Sequence, residues 1–422
     1  MDIITSQLES GIGYAFHKIS SPVAYCALSI KAGTRDEADN FNGVAHLTEH
    51  MLFKGTSKRG AKRISNFLER LGGELNAYTT KEETVIHATV LKEDIGKAVE
   101  LLSDLAFNSL FPEKEFIKER EIVLEEISSY KDIPAEQILD DFDHYLFGEH
   151  PLAKPILGTA KSVKKIGVEQ IKKFTDRYYK PSNMTFSIVA NMSNERAMSL
   201  VNRYFGGGDN LLTWPSPKEL EVESKQLFSS SKSLLGPSIS QPEKRVVKRT
   251  FQAHCVVGVP AYDLYDPRRL PLALLTNILG GPALNSKLNQ ALREKYAMAY
   301  TVDASYTPYT DTGLFTIYFG TDKNNIDKCL NILDNQLEVI RDRGFTPTAL
   351  KASKKQLLGQ LAISMDNAEA QCLTMGKSML FYNKVEPIEV IREKILTIES
   401  SQLLQIAQEL LDRNKMFTLI YS

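Results

Sequence analysis

Cysteine is scarce in this chain. Four occur in 422 residues (Cys26, Cys255, Cys329 and Cys372), widely scattered and with no C-x-x-C pair. That spacing excludes a disulfide framework and a thiolate metal site, and leaves reduced, mostly buried thiols. No apolar run approaches the roughly 20 residues needed to span a bilayer. The opening "MDIITSQLESGIGYAFHKI" lacks the basic start and apolar stretch of a secretory leader, so the expected location is cytoplasmic. An excess of one charge is missing as well: 51 Lys+Arg stand against 52 Asp+Glu. Nothing electrostatic therefore favours nucleic acid or an anionic membrane as partner. Histidine is also sparing, at seven, and its placement is correspondingly informative.

What remains is an ordinary globular composition, 43% hydrophobic and 24% charged. The chain is too long for one ordinary core and suits two domains of about 200 residues each. Between Gly206 and Glu243 the sequence turns rich in Gly, Pro, Ser and charge, as in "WPSPKELEVESK" and "SSSKSLLGPSISQPEK", and reads as a linker. The expected organisation is a domain at 1–205, a linker at 206–244 and a domain at 245–422.

Segments on either side of that linker resemble each other. "FPEKEFIKEREIVLEEI" from Phe111 lines up with "FTPTALKASKKQLLGQL" from Phe345. "IGVEQIKKFTDRYYKPSNMTFSIVA" from Ile166 lines up with "IESSQLLQIAQELLDRNKMFTLIYS" from Ile398, and "AHLTEHML" from Ala45 with "ALLTNILG" from Ala273. Two copies of one domain account for this. Within each copy β-rich runs alternate with helical patterns. "VAYCALSIKAG", "ETVIHATVL", "AHCVVGVPAY" and "GLFTIYFGT" read as strands; "RISNFLERLGG", "IGKAVELLSDLAFN" and "NIDKCLNILDNQLEVIRDRG" read as helices. The predicted class is α+β, a sheet with helices packed on it in each copy.

The stretch "NGVAHLTEHMLFKGT" sets His46 and His50 four residues apart with Glu49 directly before the second. On a helix that spacing returns both imidazoles to one face, within reach of one ion at roughly 2.0–2.1 Å from each nitrogen. Glu49 sits beside the same face, placed to take a proton from attacking water without being a ligand. An H-x-x-E-H arises by chance in roughly one chain in a hundred of this size and composition. A catalytic zinc usually has a third protein ligand. Candidates lie in "KEREIVLEEIS", where Glu119 and Glu126 share a helical face while Glu121 and Glu125 point elsewhere. An acidic run of this kind is more often a solvated face, and spacing alone does not choose among these glutamates. In the second copy the aligned positions are Leu274, Asn277, Ile278, Ser353 and Gln360. The apolar scaffold persists while each proposed site residue is replaced, which favours a site in the first copy only.

These motifs, with "GGELNAYTTKEETVIHATV" and "LREKYAMAYT", resemble the pitrilysin/insulinase zinc peptidases, which include the mitochondrial processing peptidase. The resemblance covers nearly the whole chain. It implies two homologous domains, each a mainly antiparallel sheet with packed helices. It also implies one zinc ion per chain, held by His46, His50 and Glu126, with Glu49 as general base and Glu119 in support. It further implies that Asn76, beside an edge strand, and Arg293 and Tyr300 in "REKYAMAY" meet the substrate backbone. Taken alone, Arg293 would read as a surface charge and Tyr300 as a packed strand aromatic. "GGPALNSKL" and "KYAMAY" depart from the commoner patterns of that family, which bears on loop shape and substrate preference. The expected activity is hydrolysis of peptides in a chamber enclosed by a homodimer. The rival expectation is a non-catalytic or partner-dependent subunit.

Overall fold

The computed structural model describes residues 2–206 and 242–422. The expected linker lies almost wholly outside these residues, and its last two positions, Glu243 and Lys244, instead open a strand. The described chain gathers into two compact units that interleave in sequence: 2–128, 154–206 and 363–388 in the first, and 129–153, 242–362 and 389–422 in the second.

The first unit holds a six-stranded sheet of β1 (Ile3–Gln7), β2 (Gly13–Lys18), β3 (Val23–Ile30), β4 (Glu74–Thr79), β5 (Thr84–Leu91) and β6 (Met184–Ala190), in the order β1-β2-β6-β3-β5-β4. Only β2 and β6 run parallel; the other neighbours are antiparallel. One face carries the main core with α1 (Val44–Leu52), α2 (Ala61–Glu69), α3 (Ile95–Asn108) and α4 (Glu113–Tyr130). The other face is covered by a helix at Ala368–Tyr382, whose Cys372, Met375 and Met379 pack on Ala15, Ala27, Val85 and Val189. With both faces covered, β6 is buried at every position, which is why "MTFSIVA" shows no clean alternation.

The second unit repeats this plan without the β1 equivalent. Its strands β7 (Glu243–Val246), β8 (Ala253–Ala261), β9 (Ala299–Pro308), β10 (Gly313–Thr321) and β11 (Phe417–Tyr421) lie in the order β7-β11-β8-β10-β9. Again one pair, β7 and β11, is parallel and the rest antiparallel. The outer face of this sheet is covered by α5 (Pro134–Phe147), through Ile138, Phe142 and Leu146 against Val256, Leu419 and Tyr421. The fold is thus α+β with two homologous, mainly antiparallel sheets, as the repeats imply. The units nonetheless depart from a simple cut into halves. Each includes one helix from the other half of the chain: α5 in the second unit and 368–382 in the first. Sequence similarity finds which residues repeat, but it does not report which sheet an apolar helix face covers.

All four cysteines are free and buried, as expected. Among the described residues no helix is long and apolar enough to cross a membrane.

Candidate metal centre

Helix α1 forms because Val44, Ala45, Leu47, Thr48, Met51 and Leu52 give it a wide buried face against the first core. The remaining face presents His46, Glu49 and His50. The two rings stand with centroids 4.7 Å apart and planes inclined at 66°. Opposite them runs α4, anchored by Phe116, Val123 and Ile127, with Leu124 partly buried. Glu126 Oε2 lies 3.8 Å from His46 Nε2 and 3.8 Å from His50 Nε2. One ligand atom from each of these three residues falls within 4.8 Å of the others, the one such grouping among the described residues.

The donor set fits a divalent ion. Burial, aided by the neighbouring His50, pushes His46 down to about 3, so its ring is neutral at physiological pH and keeps a lone pair for a metal. His46 Nδ1 is buried and finds no hydrogen-bond partner. His50 is held differently: its Nδ1 lies 3.2 Å from Glu119 Oε2, whose Oε1 lies 2.7 Å from Lys54 Nζ. A carboxylate behind a ligating imidazole orients the ring and raises its basicity. The two glutamates that shared a face in sequence therefore occupy separate positions. Glu126 faces both imidazoles, and the buried Glu119 stands behind one of them. Glu121 and Glu125 are exposed and outside the group.

Glu49 accepts a 2.6 Å hydrogen bond from Thr79 Oγ1 at its Oε2. Burial pushes its carboxyl above the ordinary range, partly offset by that bond and by His50. Thr79 ends β4, an edge strand paired only with β5. The free sheet edge therefore runs up to the glutamate beside the candidate metal ligands. Asn76 is exposed on β4 opposite His87, on the sheet face away from Leu75 and Ala77. Arg293 lies on a π-helical turn at Asn289–Lys295, its Nε 3.7 Å from Glu294 Oε1. Tyr300 is 80% exposed on β9, the edge strand of the second sheet. It is not the packed strand aromatic that its residue type suggests.

Sequence reading missed Lys54 and Thr79. Lys54 lies within the histidine motif, one turn beyond His50, where a cation opposite the glutamate-rich helix was open to inference. Thr79 becomes significant only once β4 is placed beside α1.

Comparison with known proteins agrees with this geometry. The family model described as insulinase (peptidase family M16) matches residues 15–160, and the one described as peptidase M16 inactive domain matches 165–357. The chain belongs to this peptidase family, the pitrilysin/insulinase group. A Bacillus subtilis protein named as an uncharacterized zinc protease, YmxG, is 30% identical over 391 residues, covering 93% of this chain and 91% of its own. A Streptomyces coelicolor protein, also named as an uncharacterized zinc protease, is 29% identical over 395 residues, 92% of this chain and 82% of its own. The crystal structure of a protease from Helicobacter pylori superposes with a TM-score of 0.86 at 19% identity, covering 100% of this chain and 99% of its own. A structure described as a peptidase M16 inactive domain from Pseudomonas fluorescens gives 0.85 at 20%, covering 100% and 98%. The structural matches show the shared fold.

Proposed function

We propose that this protein is a zinc-dependent endopeptidase of the cytoplasm that hydrolyses peptides or unfolded segments, with one ion per chain. The observation that carries the proposal is the convergence of His46, His50 and Glu126, one ligand atom of each within 4.8 Å of the others, with Glu49 beside them accepting a hydrogen bond from Thr79.

His46, His50 and Glu126 would hold the zinc. When bound, the ion supplies Lewis acidity that makes water nucleophilic near neutral pH. Thr79 occupies one oxygen of Glu49, leaving the other free to accept the proton of the attacking water and pass it to the leaving amine. The free edge of β4 offers main-chain hydrogen bonds to an extended peptide, with Asn76 alongside, and such strand addition tolerates varied side chains. By family resemblance, Arg293 and Tyr300 meet the peptide backbone near the scissile bond, Tyr300 steadying charge on the carbonyl oxygen. A chamber closed by two copies would admit peptides and exclude folded proteins.

Two measurements test the reading. Metal analysis of the purified protein should find zinc, and the protein alone should cleave an unstructured peptide until a chelator is added. Glu49→Gln should keep the zinc and lower turnover by roughly 10²–10⁴-fold. A metal-free protein, or a Glu49→Gln variant of normal activity, would overturn the assignment. Zinc without activity in the isolated protein would instead favour the partner-dependent reading.

A further inference from the structure

Helix α1 begins without a conventional cap. The residue before Val44 is Gly43, in the left-handed region at φ 98°, and it has no side chain to accept a hydrogen bond from the first turn. A Cβ there would stand 2.8 Å from Leu157 O, so no capping side chain can be supplied at this position. Yet the first turn is satisfied from elsewhere. Glu37, 5% exposed, accepts from Ala45 N at 2.8 Å through Oε1 and from Gly43 N at 3.0 Å through Oε2. Oε2 also accepts from Asn42 Nδ2 at 2.6 Å.

The surroundings of this carboxylate hold it in place. Asn42 donates in addition to Pro155 O at 3.1 Å, and Lys154 Nζ donates to Glu37 O at 2.9 Å. Lys81, from the turn after β4, donates to Lys154 O at 2.6 Å. Gly158, at φ +74°, leans so closely that a Cβ there would lie 2.4 Å from Asn42 O. The hydrogen-bond partners of this side chain thus all lie in residues 42–45, while Lys81 and the stretch 154–158 brace Asn42 and the Glu37 backbone around it. That side chain grips the helix one residue before His46.

We infer that Glu37 is a positioning residue for the metal centre: its carboxylate sets the axial position and rotation of α1, and through them the separation of His46 and His50 from Glu126. The physical ground is leverage. Both imidazoles ride on one short helix, so a shift at its first turn moves them together against α4, which is anchored separately. The inference rests on the zinc reading above and adds to it a residue that touches neither ion nor substrate.

The test uses the full chain. Zinc affinity is measured by competition with a chelator, and the cobalt-substituted protein is examined by its visible absorption. The variants are Glu37→Gln, Asn42→Ala and, as control, Asn367→Ala. Asn367 caps the 368–382 helix of the same unit by accepting from Ala370 N at 3.0 Å. Glu37→Gln presents an NH2 group to one of the donors, and its zinc affinity should fall about tenfold or more, as with other residues that orient ligands. Its cobalt spectrum should shift. Asn42→Ala keeps the carboxylate and loses one donor, so it should fold and lose affinity by a smaller factor. The control should lower the melting temperature and leave both metal readouts unchanged. Unaltered affinity and spectrum in folded Glu37→Gln or Asn42→Ala, or an equal loss of affinity in Asn367→Ala, would overturn the inference. Absence of zinc from the unmodified protein would instead overturn the function on which it rests.

Discussion

Asp36 and Glu37 lie side by side at the start of the segment that leads into α1, Glu37 buried and Asp36 half-buried. Burial pushes Asp36 up to about 6, assisted by Glu82 and opposed by Gly33 N, Arg35 and Lys31. Burial likewise pushes Glu37 up to about 7, against the three donors and Lys154. Each carboxyl is therefore protonated in the folded unit over a range where the unfolded chain has already released the proton. A raised carboxyl of this kind makes stability fall as pH rises through the window between the unfolded and folded values. The melting temperature should drop between about pH 4 and 7, and the double variant Asp36→Asn, Glu37→Gln should flatten that slope. An unchanged slope in the double variant would assign the effect to other groups. At this same scale the histidine motif was legible because chance seldom produces it. Spacing did not separate Glu126 from Glu119, since one helical face offers both; the resemblance named Glu126 as ligand and Glu119 in support, and the position of α1 decides which meets the Nε2 atoms and which meets Nδ1.

Elements were read well where period and length agreed. The strands β3, β5, β8 and β10 and the helices α2 and α3 stand within a few residues of their expected places, as does the long helix Ile326–Arg343. The edge strands β1 and β7 and the two exchanged helices were not anticipated, and β4 and β9 entered only through the resemblance at Asn76 and the strand reading of Tyr300. Edge strands are short or polar on one side, so their apolar alternation is weak. The 368–382 helix meets its sheet through Gly376 and Cys372 as well as Met375 and Met379, so small residues interrupt its apolar face. A Cβ on Gly376 would stand 2.7 Å from Ser29 Oγ and 3.1 Å from Ser187 Oγ. Cys372 Sγ lies 3.4 Å from the same Ser187 hydroxyl. Gly376→Val should therefore lift this helix from the sheet and destabilise the protein by about 1–3 kcal/mol, measured by urea unfolding. A neutral result would mean that the helix can shift without loss of packing.

For the whole molecule, the proposed homodimer leads to a mixing experiment. If zinc and Glu49 of one subunit work with Arg293 and Tyr300 of its partner, a mixture of Glu49→Gln and Arg293→Ala proteins contains mixed dimers with one complete site. Activity should rise above that of either variant alone, and light scattering should report a dimer under the same conditions. A monomeric active protein, or no recovery on mixing a proven dimer, would remove the shared-site arrangement.

By itself the sequence determined the repeat, the α+β class and the paired imidazoles with their glutamate, because these are local spacings or similarities between segments. Tertiary structure decided which glutamate faces the rings and which stands behind them. It also brought Thr79 to Glu49, and Glu37 to the start of α1. Those choices join residues far apart in the chain, and they depend on how helices settle on sheets, where burial and close contact act with no periodic trace along the sequence.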